Sequence, residues 1–176
     1  MTMSNIKAID TLIQFVLAAA GQEDDARDRE LGPIHFIKYL YLADLTYAEQ
    51  YEGKTYTGIK WRFHHFGPWS YEAYQRIEPA LQHIQAISRK IPSEYEDDFV
   101  RWSLCDDQIF HQLQNEIPLI LQHAIQRCVH KFTSITDDLL HFVYNTLPIL
   151  QAKPGDPAPR QYRPVQLPFL LKGWRR

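Results

Sequence analysis

Residues 32–68 read GPIHFIKYLYLADLTYAEQYEGKTYTGIKWRFHHFGP, and this stretch decides the fold. Gly32-Pro33 is a natural helix start, because proline at the first helical position loses no needed N–H and its φ is already helical. At 100° per residue, one broad face of this helix collects the apolar side chains, namely Ile34, Ile37, Leu40, Tyr41, Leu45 and Ala48. The other side collects the polar ones, interrupted by Leu42: His35, Lys38, Thr46 and Glu49. We therefore expect neighbours nearly all round this helix.

Asp44 falls near the middle of the apolar arc of the helix. A carboxylate buried there must be paired, hydrogen-bonded or protonated, because leaving it bare is costly. The nearest candidates in the sequence are Arg62, Lys60 and the backbone N–H groups around Gly67-Pro68. The sequence thus predicts that Asp44 ties the helix to the segment IKWRFHHFGP.

That segment alternates in the manner of a half-buried strand. Ile59, Trp61 and Phe63 lie on one side, and Lys60, Arg62 and His64 lie on the other. Phe66-Gly67-Pro68 is expected to end the strand, with Pro68 opening the next helix. The stretch therefore predicts the order helix, turn, short strand, helix.

The combination IKYLYLAD, TYTG and IKWRFHHFGPWSYEAY resembles the SocA-like domain, also called the Panacea domain, of bacterial antitoxins and phage-associated proteins. The resemblance rests on a helix with a lysine, leucines and a tyrosine, a glycine turn, and a strand ending in an aromatic residue, glycine and proline. The matching positions are Lys38, Leu40, Tyr41, Leu42, Ala43, Gly58, Trp61, Phe66, Gly67 and Pro68, with Asp44 and Arg62 beside them. Phe66 stands where tyrosine is more usual. A second similar segment is LLHFVYNTLPILQAKPG, residues 139–155.

The resemblance implies a non-catalytic protein of bacterial or prophage origin that neutralises a cognate toxin by binding it directly. It implies that the matching motif is scaffold, so that the toxin meets other, exposed residues. Two further roles stay open: a proteolytic adaptor that delivers a partner to a protease, and a nucleic-acid-binding regulator. A homodimer also remains open.

The rest of the chain adds four helices and a hairpin. Ser4 or Asn5 caps a first helix that ends at Gly21, and Pro79 should end or kink the helix that follows Pro68. QAISRKI and DDFVRWSL read as a β-hairpin, to which the strand around Trp61 could add a third strand. Two further helices are expected from Asp106, with a break at Pro118, and from Ser134 to about Asn145. The predicted fold is α+β and mainly helical, about five helices around a small antiparallel sheet.

Length and composition favour one globular domain. The chain has 176 residues, of which 45% are hydrophobic and 23% charged. We expect residues 1–151 to form this domain and residues 152–176 to form an extension. Leu12 to Ala20 is too short to span a bilayer and lacks a basic region before it, so we expect a cytoplasmic protein with no membrane partner. Cys105 and Cys128 are then reduced thiols.

No catalytic or metal-binding pattern is legible in the sequence. The eight histidines include neither HExxH nor a His-x-x-x-His pair with a nearby carboxylate, and the seven glycines form no phosphate loop. His64 and His65 are adjacent and point to opposite faces of a strand. The sequence therefore predicts no enzyme, no metal and no cofactor.

The C-terminal extension is basic and proline-rich. Residues 152–176 hold six cations and one aspartate, net +5, whereas residues 1–151 carry −7. Five prolines lie within residues 154–168 and favour an extended path, and the apolar run PFLLKGW follows. We expect this end to dock on a groove of this molecule or of a partner.

The candidate partner-binding residues lie in that extension and after Pro68. Trp, Tyr and Arg dominate protein interfaces, and the candidates are Trp69, Tyr71, Tyr74, Arg160, Arg163, Phe169 and Trp174. A nucleic-acid site is the alternative: basic residues at positions 60, 62, 64 and 65 alternate with Trp61, Phe63 and Phe66, as on single-strand binding surfaces. The acidic body opposes it.

Overall fold

The computed structural model describes residues 4–64, 67–92, 99–132 and 136–146. The first helix, α1, spans Ile6–Ala20, and the Asn5 side chain caps it by accepting a hydrogen bond from Ala8 N at 3.2 Å. Residues 8–20 of this helix are almost all buried, far beyond one amphipathic face. A short 3₁₀ turn, Ala26–Arg29, follows. The predicted first helix and its end at Gly21 are confirmed.

The second helix, α2, spans Pro33–Gln50, with Gly32 as its extended N-terminal cap and Pro33 at the first helical position. It packs against α1 and against four later elements, so it has neighbours nearly all round, as predicted. His35 and Lys38, on the polar side of the helix, are 1% and 0% exposed. Later elements cover that side of the helix.

Two short strands follow, β1 at Arg62–His64 and β2 at Gly67–Trp69, which pair antiparallel. The prediction that Pro68 opens a helix was wrong, because Pro68 lies within β2. The next helix, α3, spans Tyr71–His83, and Ser70 caps it by accepting from Ala73 N at 3.1 Å. Serine is the stronger start signal, since its side chain satisfies a free N–H of the first turn.

Pro79 was expected to end or kink this helix; it lies inside α3, which continues to His83, so it does not end it. The helix continues because the residues just after the proline, Ala80 and Leu81, are buried on the core side. Gln14 of α1 also donates a hydrogen bond from Nε2 to the Ala80 carbonyl at 2.9 Å. Tertiary packing therefore offsets the hydrogen bond that proline removes.

The predicted hairpin is present as β3, Ile87–Ile91, and β4, Phe99–Ser103, paired antiparallel from Ile87 opposite Ser103 to Ile91 opposite Phe99. Trp61 adds no third strand to it, contrary to the prediction, because the strand that follows Trp61 pairs with β2 instead. Trp102 of β4 instead forms an antiparallel bridge with Leu31. That bridge joins the hairpin to the start of α2.

Three helices complete the described part: α4 at Asp107–Gln114, α5 at Leu119–Phe132 and α6 at Thr136–Tyr144. The predicted break at Pro118 is confirmed, as is the cap at Asp106, which accepts from the backbone N–H groups of residues 108 and 109. Ser134 lies outside the described residues. The fold is α+β and mainly helical, as predicted.

The two cysteines are not bonded to each other. Cys128 is buried on α5, and Cys105 is exposed. Burial raises the pKa of the Cys128 thiol far above its usual range. A protonated, buried thiol of this kind is an apolar packing group rather than a nucleophile.

At Gly21 the end of α1 lies very close to the backbone of the segment before α4. A Cβ added there would lie well under 3.0 Å from the carbonyl oxygen of Leu104, and backbone must shift to admit it. We expect Gly21→Ala to lower the free energy of unfolding by about 1–3 kcal/mol, in urea denaturation. Gly32→Ala is the matched control, since its Cβ would meet only the Arg101 side chain, at 3.4 Å or more. Equal midpoints for both variants would contradict the close approach.

Candidate functional site: an aromatic face on a buried polar support

Asp44 is fully buried and holds the loop that precedes β1. Its carboxylate accepts hydrogen bonds from Thr57 N at 3.0 Å, from the Thr57 hydroxyl and from Trp61 Nε1 at 2.9 Å. The prediction that Asp44 ties α2 to this segment is confirmed, but the predicted partners were wrong. Arg62 and Lys60 are exposed. Thr57 and the Trp61 indole reach the carboxylate with neutral donors, which avoids burying a second charge.

Burial raises the pKa of Asp44 to about 6, and the hydrogen bonds from Thr57 and Trp61 oppose that rise. An unfolded aspartate has a pKa near its ordinary 3.8. The folded protein therefore holds a proton more tightly than the unfolded chain between these two values. This group's contribution to stability falls as the pH rises through that window.

Tyr41 and Trp61 form the apolar part of the same support. Their rings meet edge to face, 5.7 Å between centroids, and both are buried. The Tyr41 hydroxyl shares a 2.8 Å hydrogen bond with Thr146 Oγ1, after α6. Gly58 lies in the loop at φ 71°, a conformation that favours glycine. Tyr41, Asp44 and Trp61 thus hold the loop before β1 against α2 and the residue after α6.

Lys38 connects this interior to β2. Its Nζ donates to the Pro68 carbonyl at 2.7 Å and lies 5.9 Å from the centroid of the Trp69 ring. No carboxylate among the described residues pairs with it. Burial lowers the pKa of Lys38 to about 7. Gly67 lies beside this amine, since a Cβ built on Gly67 would be in van der Waals contact with Lys38 Nζ, at 3.5 Å.

His35, on the polar side of α2, is a second buried polar group. Its Nδ1 faces two donors, Gly32 N at 3.3 Å and Arg101 Nη1 at 3.3 Å, and its Nε2 lies 3.2 Å from Thr136 Oγ1. Burial and the Arg101 charge lower the pKa of His35 to about 4. A neutral ring protonated on Nε2 satisfies all these contacts. His35 therefore joins α2 to β4 and α6.

The three aromatic candidates after β1 lie together at the surface. Trp69 and Tyr74 are 5.6 Å apart between ring centroids, and Tyr71 and Tyr74 are 6.4 Å apart. Tyr71 is 67% exposed and Tyr74 is 44% exposed, while Trp69 is half-buried over Lys38. We call Trp69, Tyr71 and Tyr74 the aromatic face. The structure brings these predicted residues into one patch.

The proposed nucleic-acid strip is not assembled as predicted. Trp61 is 1% exposed and donates its indole N–H to Asp44, so it cannot stack on a base. Lys60 and Arg62 are exposed. The side chains of residues 63–66 lie outside the described part, as do the tail candidates Arg160, Arg163, Phe169 and Trp174.

Within residues 4–64, 67–92, 99–132 and 136–146, no three His, Cys, Asp or Glu side chains are grouped so as to hold a metal ion. None of the helices described there is long and apolar enough to cross a membrane. No protein-family model, curated protein or solved structure matches this chain.

The Asp44 pKa gives a prediction for Asp44→Asn. The variant keeps a hydrogen-bonding side chain but cannot titrate, whereas the wild-type protein gains from the proton at low pH. We expect the stability deficit of the variant, relative to wild type, to be about 2–3 kcal/mol larger at pH 4 than at pH 6.5. Urea denaturation of both proteins at each pH measures this. A deficit that grows with pH would show that Asp44 has a lowered pKa instead.

The Lys38 pKa gives the opposite pH dependence. Between its folded value, about 7, and its ordinary value, 10.5, the unfolded chain holds the extra proton, so this residue's contribution to stability rises with pH. Lys38→Met cannot titrate. We expect the stability of wild type relative to this variant to increase by about 1–2 kcal/mol from pH 7 to pH 8.5. A pH-independent difference would mean that the amine stays charged or solvated.

Proposed function

We propose that this protein is a non-catalytic antitoxin-type binder that neutralises a cognate toxin through the aromatic face. The single observation that carries the proposal is the exposure of Tyr71 and Tyr74 beside Trp69. Tyrosine and tryptophan are the side chains most enriched among residues that dominate binding energy, and clustered aromatics supply large contact area at low conformational cost. The resemblance to the SocA-like domain supports the same class of function.

The contacts that hold the aromatic face on the fold support a binding role. Trp69 belongs to β2, whose Pro68 carbonyl is held by Lys38, and Tyr71 begins a helix capped by Ser70. Aromatic anchors fixed in this way lose little side-chain entropy when a partner arrives. A surface meant only to pack the protein's own core would bury these rings, as Trp61 and Tyr41 are buried.

The test is co-expression of the tagged chain with the product of the adjacent gene, followed by co-purification and growth of the host. We expect a stable complex and restored growth. Tyr71→Ala and Tyr74→Ala should each weaken the complex about fivefold or more, since anchor residues of this type contribute about 1–3 kcal/mol. Isothermal titration calorimetry gives the affinities.

Tyr51→Ala is the matched control, because Tyr51 is also an exposed helix-end tyrosine, 48% exposed, stacked on Tyr47 and not on the aromatic face. It should leave the affinity unchanged. Equal losses for Tyr51→Ala and Tyr71→Ala would remove the aromatic face from the interface. A harmless neighbour that forms no complex would overturn the antitoxin function itself.

A further inference from the structure

We propose that residues 154–163 of the same chain dock on the aromatic face as an intramolecular ligand. The occupant is the proline-rich basic segment PGDPAPRQYR. Proline-rich segments in an extended, threefold helix bind surfaces lined by aromatic rings, because their conformation is already ordered before binding. The aromatic face, in which the Tyr74 ring lies beside both Trp69 and Tyr71 and both tyrosines are exposed, is a surface of that kind.

The first argument is where the chain leaves the described part. The Tyr144 ring at the end of α6 lies against β2, since a Cβ built on Gly67 would lie 3.4 Å from Tyr144 Cε1. Thr146 is anchored nearby by its hydrogen bond to Tyr41. Gly67 is two residues before Trp69, so the chain departs beside the aromatic face. The eight residues from Thr146 to Pro154 can span up to about 26 Å.

The second argument is the spacing of side chains within the segment. A polyproline helix has three residues per turn, so every third residue lies on one edge. Pro154, Pro157, Arg160 and Arg163 follow this interval, two prolines and then two arginines. One edge of the segment therefore presents two proline rings and then two arginine side chains. Successive residues on this edge are about 9 Å apart.

The third argument is a matching order on α3. Tyr71, Tyr74 and Glu78 lie three and four residues apart, which places them on one exposed stripe of the helix. Glu78 contacts Gln82 Nε2 at 3.2 Å, and no cation of the described residues pairs with it. The other charges of the helix are engaged elsewhere: Arg76 with Asp10 at 2.7 Å, and Glu72 with Ser4. With Pro157 on Tyr74, Arg160 lies about 9 Å further along the segment and Glu78 about 6 Å further along the helix, a difference that the long arginine side chain spans.

The docked segment covers the surface assigned above to the toxin. This consequence rests on the proposed function, whereas docking itself does not. The tail is then a built-in competitor that a tighter-binding partner displaces, and variants that release the tail bind that partner more strongly.

Hydroxyl-radical footprinting of the full-length chain tests the docking, with Tyr71 and Tyr74 as reporters and Tyr51 as the internal reference. If the docked form predominates, Arg160→Glu and the double variant Pro154→Ala/Pro157→Ala should each raise labelling of the reporters at least about twofold. Glu78→Arg should do the same, and combining it with Arg160→Glu should restore protection. These outcomes would establish the register proposed here.

The matched controls lie in the same tail: Pro159 and Pro164 fall off the three-residue interval, and Lys172 lies outside residues 154–163. Lys172→Glu repeats the charge change, and Pro159→Ala/Pro164→Ala repeats the proline loss; neither should alter labelling. Unchanged labelling in all variants, or equal increases in the controls, would overturn the proposal. Protection that disappears on dilution, with a dimer mass by light scattering, would place the tail on a second copy and overturn docking within one chain.

Toxin binding separates this inference from the proposed function. If the tail variants raise labelling as expected but no toxin complex forms, only the proposed function is overturned. A toxin complex at the aromatic face with no change in labelling would remove only the intramolecular docking.

Discussion

The interaction on which the structure depends is the burial of the Asp44 carboxylate among neutral donors. Thr57 donates to it twice, and the same residue's carbonyl accepts a hydrogen bond from Asn5 N at 2.7 Å, at the start of α1. Trp61 donates to it as well, which places the indole against Tyr41. One carboxylate therefore positions the loop before β1 relative to α1 and α2. Such a fully satisfied polar group specifies a unique core in a way that apolar packing alone does not.

The second constraint is the buried lysine that bonds α2 to β2. Lys38 comes from the same helix as Asp44, and its amine donates to the carbonyl just before Trp69. The surface patch is thus bonded to the helix at the centre of the fold. A face attached in this way keeps its geometry without a partner, which suits the binding role proposed for it.

Charge separates the body from its extension. Residues 1–151 are acidic and residues 152–176 are basic, so the two attract each other before any specific contact forms. In the proposed arrangement, this attraction acts over a short tether that starts beside β2. The effective concentration of the tail at the aromatic face is then high even if the contact itself is weak. The same surface would serve the chain's own tail and an external partner.

The sequence by itself determined the features that act within a few residues. Pro33 and Pro118 set helix boundaries, two strand-like runs marked the β3–β4 hairpin, and the three-residue spacing of Tyr71 and Tyr74 put them on one stripe. It also required that Asp44 have a partner. Only the tertiary structure decided which partner that was, that His35 and Lys38 are buried, and that Pro68 lies in a strand. Those outcomes depend on groups brought from distant positions, such as the 30 residues between Lys38 and Pro68. Local propensity carries no information about such contacts, because the energy that selects them exists only once the chain has folded.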